Sequence, residues 1–242
     1  MYQMIGIGYD IGSSFIKAAL VEVQTGNSIA RARVPEVEIA MVSQQAGWAE
    51  QDPNIWWEYL CKATQKLLSE AQIKADQISS VGISYQMHGL VLVDQDLNPL
   101  RKSIIWCDSR ATSYGEKAFK ALGETYCKDH LFNSPGNFTA SKLAWVIENE
   151  PELYHKAYKL MLPGDFLAAK LSGVAQTTIT GLSEGIFWDF KNDKPSKTLF
   201  DYYKIDQSLV PDIIDNFSVQ ATVSAAGAKA TGLRAGTPIT TG

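Results

Sequence analysis

Ile5-Gly6-Ile7-Gly8-Tyr9-Asp10-Ile11-Gly12-Ser13-Ser14-Phe15-Ile16-Lys17, near the start of the chain, is the stretch on which the fold turns. Ile5 to Asp10 is an apolar run that reads as a buried strand. Asp10 to Ser14 reads as a tight turn, because it gathers Gly and Ser. Phe15 to Val23, β-branched or apolar at most positions, reads as a second strand. Gln24-Thr25-Gly26-Asn27 makes another turn, and Ser28 to Val34 a third strand. Three consecutive strands joined by tight turns form a meander.

Beyond the meander the pattern alternates helices with short strands. Asp52-Pro53 opens a helix to about Ala71, with Asp52 as N-cap and Trp56, Leu60, Ala63 and Leu67 at helical spacing. Ile78 to Ser84, Leu90 to Val93, Ser103 to Trp106 and Leu160 to Leu162 read as strands. Ala111 to Leu122, Ser141 to Asn149 and Asp165 to Leu171 read as helices. Short aromatic strands are expected around Phe187 and Trp188, helices at Thr198 to Tyr203 and Leu209 to Ile214, and a strand at Thr237 to Thr241. A strand just beginning there and cut at Gly242 points to a boundary inside a longer protein, with a frayed natural terminus as the alternative. The expected fold class is one α/β domain with a mixed sheet.

The 242 residues carry a formal charge of −4, with 45% hydrophobic and 20% charged residues. That composition suits a packed globular core and excludes a mainly disordered chain. Scattered basic residues and mild acidity argue against nucleic acid as a partner. No apolar run approaches the ~20 residues of a membrane-spanning helix, and the N-terminus has no basic segment followed by an apolar stretch. Cys61, Cys107 and Cys127, odd in number and without CxxC spacing, suit reduced thiols and a cytoplasmic protein.

Several segments could carry chemistry. Asp10 ends a buried strand, so its carboxylate projects from the sheet edge; Gly12 permits close backbone approach, and Ser13 and Ser14 offer hydroxyls and successive N–H donors. An ordinary polar hairpin turn fits the same residues. The turn lacks the GxxxxGK[ST] pattern and feeds a strand. Gln86-Met87-His88-Gly89 follows a strand end, where α/β proteins commonly hold ligands, and its Gln and neutral His suit a polyhydroxylated ligand. A loop histidine without a ligand fits it too. His88, His130 and His155 lack metal-ligand spacing. In Trp106-Cys107-Asp108-Ser109-Arg110 a structural role is expected, with Asp108 able to cap the next helix and no base placed to activate Cys107. In Gly47 to Pro53, tryptophan packing is the expected role, with stacking on a sugar as the alternative.

Together these segments resemble the N-terminal domain of the FGGY carbohydrate kinases, most closely the xylulose kinases. The matching pieces are Asp10 to Lys17, Gly47 to Pro53 with Trp56, Gln86 to Gly89, Trp106 to Arg110, Phe138 to Trp145 and Leu162 to Leu167. Asn137 and the Thr177 to Gly185 segment depart from the family pattern. The resemblance implies an actin-like, ribonuclease-H-like α/β fold, with residues 1–242 as the sugar-binding domain and about 230–242 leading into a C-terminal domain. It implies ATP and Mg²⁺ as cofactors. Asp10, Gly12, Ser13, Ser14 and Lys17 would form the phosphate and Mg²⁺ site, with Asp10 holding the metal directly or through water. Gln86, Met87, His88 and Gly89 would meet the sugar, and the Met87-His88 pair favours a ketopentose such as D-xylulose over glycerol, phosphorylated at a terminal hydroxyl. The family's catalytic base is an Asp just after a segment like Gly236 to Gly242; no carboxylate here matches it, so no catalytic residue is assigned within the chain. Expected partners are the sugar, ATP and the C-terminal domain, with a homodimer compatible. The chain alone is expected to bind sugar weakly and to lack kinase activity. A non-catalytic actin-like sensor of sugar or nucleotide is the alternative, and a general α/β binding domain a third reading.

Overall fold

The computed structural model describes residues 4–241. The leader reading at Met1–Gln3 and the end of the chain at Gly242 lie outside them. The meander forms as expected: β1 (Ile5–Ile11), β2 (Ile16–Glu22) and β3 (Ser28–Val34) pair antiparallel in turn. In β1 the side chains alternate, so Ile5, Ile7, Tyr9 and Ile11 are buried while Gly6, Gly8 and Asp10 lie on the other face. A two-residue strand, β4 (Glu50–Gln51), leads into α1 (Pro53–Glu70). The Asp52 carboxylate accepts the Asn54 N–H, and Pro53 occupies the first turn, where no N–H is required. Trp56, Leu60, Ala63 and Leu67 recur on one face and are fully buried against β2 and β3. Each large side chain so buried contributes about 1.5–3 kcal/mol. β5 (Ile78–Tyr85) then enters the sheet parallel to β1.

The chain leaves the sheet for a mostly helical region: β6 (Val91–Val93), β7 (Ser103–Ile104), α2 (Thr112–Leu122), α3 (Glu124–Tyr126), α4 (Thr139–Asn149), α5 (Pro151–Tyr154) and β8 (Lys159–Met161). α6 (Pro163–Ser172) returns it to the sheet, followed by β9 (Gln176–Thr178), α7 (Ile179–Glu184), β10 (Trp188–Asp189), β11 (Lys194–Pro195), α8 (Lys197–Tyr203), β12 (Asp212–Ile214), β13 (Ala221–Thr222), α9 (Ala225–Thr231) and β14 (Pro238–Thr241). β14 lies parallel to β5, completing a mixed sheet in the order β13-β14-β5-β1-β2-β3. α1, α6 and α9 pack together on one side of it.

Two expectations fail locally. Leu209 to Ile214 is not a helix: a 3₁₀ turn at Gln207–Leu209 gives way to β12, which pairs parallel with β9. Pro211 supplies no N–H and biases Val210 to extended backbone, and the β-branched Ile213 and Ile214 suit a strand. The strand expected at Ser103 to Trp106 pairs only at Ser103–Ile104, and the chain turns at Trp106.

The buried apolar residues fall into two clusters. One lies between the sheet and α1, with Trp56, Ile7 and Phe166; the other lies within the helical region, around Leu143, Phe187 and Phe200.

Candidate functional site

The hairpin between β1 and β2 sets the first part of the site. Asp10 and Lys17 face each other in register, and Lys17 Nζ lies 3.0 Å from Asp10 Oδ2, both side chains about half exposed. The Gly12 N–H donates to Phe15 O at 3.1 Å. A Cβ on Gly12 would sit 3.0 Å from that same carbonyl, so glycine gives the turn its tightness. The backbone N–H groups of Ser13 and Ser14 donate to no other group among the described residues. Two free donors at a turn, two hydroxyls and a half-exposed carboxylate suit an anion with a divalent cation beside it. An open hollow runs from Gly8 and Asp10 to Arg31 and Arg33.

The second part begins at the end of β5. The Gln86 N–H donates to Ile11 O at 2.8 Å, so the loop after β5 springs from the foot of the hairpin. Gln51, almost fully buried, ties the two together: its Nε2 donates to Ser13 O at 2.6 Å, and its Oε1 accepts from Trp56 Nε1 at 3.1 Å and from Gln86 Nε2 at 3.5 Å. The half-exposed Trp106 approaches from the other side, its Nε1 3.3 Å from Ser13 Oγ. Met87 is exposed, and His88 is half-buried with a left-handed φ of 59°. Gly89 has a packing reason to be glycine, since its Cβ would lie 2.5 Å from the Pro163 ring.

α4 and α7 grip this loop. Lys142, fully buried, sends Nζ to His88 O at 2.6 Å and to Ile105 O at 3.0 Å. Burial lowers its pKa to about 8, against the pull of Asp108 and Glu184. The Phe138 ring stands edge-on to the His88 imidazole at 4.4 Å. Glu184 Oε1 accepts the backbone N–H of His88 and lies 2.7 Å from His88 Nδ1. Asp165, buried at the start of α6, accepts from the Thr177 hydroxyl at 2.9 Å, yet burial raises its pKa to about 7.

A buried ion cluster supports the loop from behind. The Arg110 guanidinium lies 2.7 Å from Asp108 Oδ2 and 2.7 Å from Glu50 Oε1, and stacks 3.8 Å from the Trp48 ring centroid. Arg101 joins Glu50 to Glu150. The structural role expected for Trp106 to Arg110 is thus present, but Asp108 does not cap α2. Its carboxylate is taken by Arg110 and by the Ala49 N–H at 2.6 Å, while the residue preceding α2 is Ala111, without a side-chain cap. Trp48 and Trp56 serve packing, as expected: one is stacked by Arg110 and the other is fully buried. Asn137 donates to Asp108 O.

Sequence reasoning had no role for Gln51 or Glu184 and read Lys142 only as part of a family pattern. The signal for Gln51 was its place beside an N-cap. The others act on partners 54 and 96 residues away, which no local pattern reveals.

Residues 4–242 match the model of the FGGY family of carbohydrate kinases, N-terminal domain. The chain is 30% identical over 234 residues to a xylulose kinase of Bacillus subtilis (strain 168), covering 94% of this chain and 45% of that protein. The solved xylulose kinase from Rhodospirillum rubrum superposes with a TM-score of 0.88 at 24% identity, covering 98% of this chain and 48% of that one. The gluconate kinase from Lactobacillus acidophilus does so with 0.87 at 22% identity, covering 99% and 48%. These likenesses show the actin-like fold that the sequence resemblance implied. The chain spans about half the length of the curated relatives it matches. With the family model matched over residues 4–242 and Lys142 buried three residues before Trp145, the chain belongs to the FGGY family of carbohydrate kinases, as its N-terminal domain.

Proposed function

We propose that this chain is the sugar-binding lobe of an ATP-dependent kinase that phosphorylates a pentulose such as D-xylulose at a terminal hydroxyl. The observation that carries the reading is the bridge made by Gln51, which ties the Ser13 turn to the Gln86 loop. A phosphoryl transfer needs donor and acceptor held in line, and a common anchor for the two loops provides that alignment.

Asp10 would hold Mg²⁺, directly or through water, and the Ser13 and Ser14 N–H groups would hold phosphate oxygens beside Gly12. Lys17, now paired with Asp10, is within reach of the same charge. Bound ATP supplies the phosphoryl group. Gln86, Met87, His88 and Gly89 would meet the sugar, with Gln86 and His88 making the directional hydrogen bonds. No catalytic base is assigned among the described residues. The relatives are about twice as long, and we assign the base and the rest of the nucleotide site to the part of their length that this chain does not span. The free thiols of Cys61, Cys107 and Cys127 support a cytoplasmic location.

The test is ligand-induced stabilisation of the 242-residue chain. D-xylulose at about 100 times its Kd should stabilise by about 2.7 kcal/mol. His88→Ala should weaken that binding by about 1–3 kcal/mol, the cost of an unmade hydrogen bond. A coupled ADP-release assay should show no sugar-dependent turnover by the chain alone. Turnover, or indifference to every sugar and to Mg-ATP, would refute the reading.

A further inference from the structure

Glu184 closes α7. It lines two hollows, one walled also by Phe132, Phe138 and Phe190, the other by Tyr85, Met87 and Thr180. Oε1 is engaged by the His88 N–H, whereas Oε2 is buried without a hydrogen-bond partner among the described residues. The cation of this cluster, Lys142, is committed to the His88 and Ile105 carbonyls, with Asp108 and Glu184 the carboxylates that act on it.

We propose that Glu184 is a positioning and specificity-determining residue, which fixes the His88 loop and selects neutral polyhydroxylated sugars over sugar acids. The inference rests on the sugar-kinase reading above. An ionised carboxylate only accepts hydrogen bonds, so a ligand group that meets the Glu184 side chain, 21% exposed where it lines the two hollows, must donate. A sugar hydroxyl does. The carboxylate of an aldonate does not, and it meets a like charge in a half-buried site, which works against the wrong ligand as well as for the right one. The same side chain holds His88 in its left-handed conformation through the backbone N–H. Position of the imidazole and choice of ligand are thereby set by one carboxylate.

Calorimetric titration of the 242-residue chain with D-xylulose and with D-gluconate tests this. The wild-type chain should bind D-xylulose at least about tenfold more tightly, as expected for one decisive polar contact. Glu184→Gln keeps an acceptor for the His88 N–H and adds an N–H donor, so the preference should shrink by about tenfold or more, through a gain for gluconate. Glu184→Asp keeps the charge, so it should weaken both sugars and still reject gluconate. An unchanged preference in a folded Glu184→Gln, a gluconate gain in Glu184→Asp, or equal binding of both sugars by the wild-type chain would overturn the inference while leaving the sugar-kinase reading standing. Binding of neither sugar by the wild-type chain would overturn both.

Discussion

Replacing Lys142 with methionine probes the buried ammonium beneath the His88 loop. Methionine keeps the unbranched stem and fills similar space, but removes the charge and the donors. Burial pulls the lysine from its ordinary 10.5 to about 8, with Asp108 and Glu184 opposing the fall. At about 1.4 kcal/mol per pH unit, the buried cation costs about 3 kcal/mol relative to the same group in water. Against this stand two charge-assisted hydrogen bonds, to His88 O and Ile105 O, each worth about 1.5–3 kcal/mol. The two sides nearly cancel at neutral pH, so Lys142→Met should change stability there by less than about 2 kcal/mol. The pH dependence does not cancel. The unfolded lysine keeps its proton to about 10.5, whereas the folded one gives it up near 8. Between those values the unfolded state binds more protons, so wild-type stability gains on the variant as pH rises, by up to about 3 kcal/mol. Urea denaturation of both proteins from about pH 7 to about pH 11 reads this difference. Hydrogen exchange at residues 86–89 should accelerate in the variant, because the His88 carbonyl loses its tether. Stability curves that run parallel across the window would refute the account of Lys142.

Asp10→Asn should leave the fold within about 0.5 kcal/mol of wild type, since the pair with Lys17 is exposed. It should preserve stabilisation by D-xylulose and abolish stabilisation by Mg-ATP in thermal melts; equal losses for both ligands would contradict the assignment. Arg110→Met leaves Asp108 without its buried guanidinium and Glu50 with Arg101 alone, and should destabilise by about 3–5 kcal/mol in urea titrations. Burial lifts Asp165 to about 7, so its folded form holds a proton that the unfolded chain has released by then. Its stabilising contribution is present below about pH 4 and is lost as pH rises through about 7. Asp165→Asn should remove that decline, and a stability difference constant over this range would count against it.

The first meander and α1 were legible because their signals are local. Asp52-Pro53 caps a helix whose apolar residues recur at its own period, and Gly12 to Ser14 can only turn. The two candidate loops were legible as well, each lying at a strand end. Their attachment to one another was not. It depends on Gln51 reaching Ser13, 38 residues away, and on Lys142 reaching back 54 residues to His88. Asp108 shows the same limit: its position suggests a helix cap, but a guanidinium two residues on and a distant backbone N–H claim the carboxylate. In Leu209 to Ile214 apolar content was misread as helix because the pairing that decides the matter comes from Gln176 to Thr178, more than thirty residues earlier.

The hairpin of β1 and β2 rests on one apolar cluster, and the grip on the His88 loop comes from helices built on the other. Such an arrangement lets one half drift while its neighbour stays put. Repacking around Leu143 or Phe187 would tilt α4 and α7 and so re-aim Lys142 and Glu184, with little strain reaching Asp10. A lineage could therefore reshape the loop from Gln86 to Gly89 by substitutions far from the hairpin, and do so gradually, without passing through a form in which the Ser13 turn has come apart.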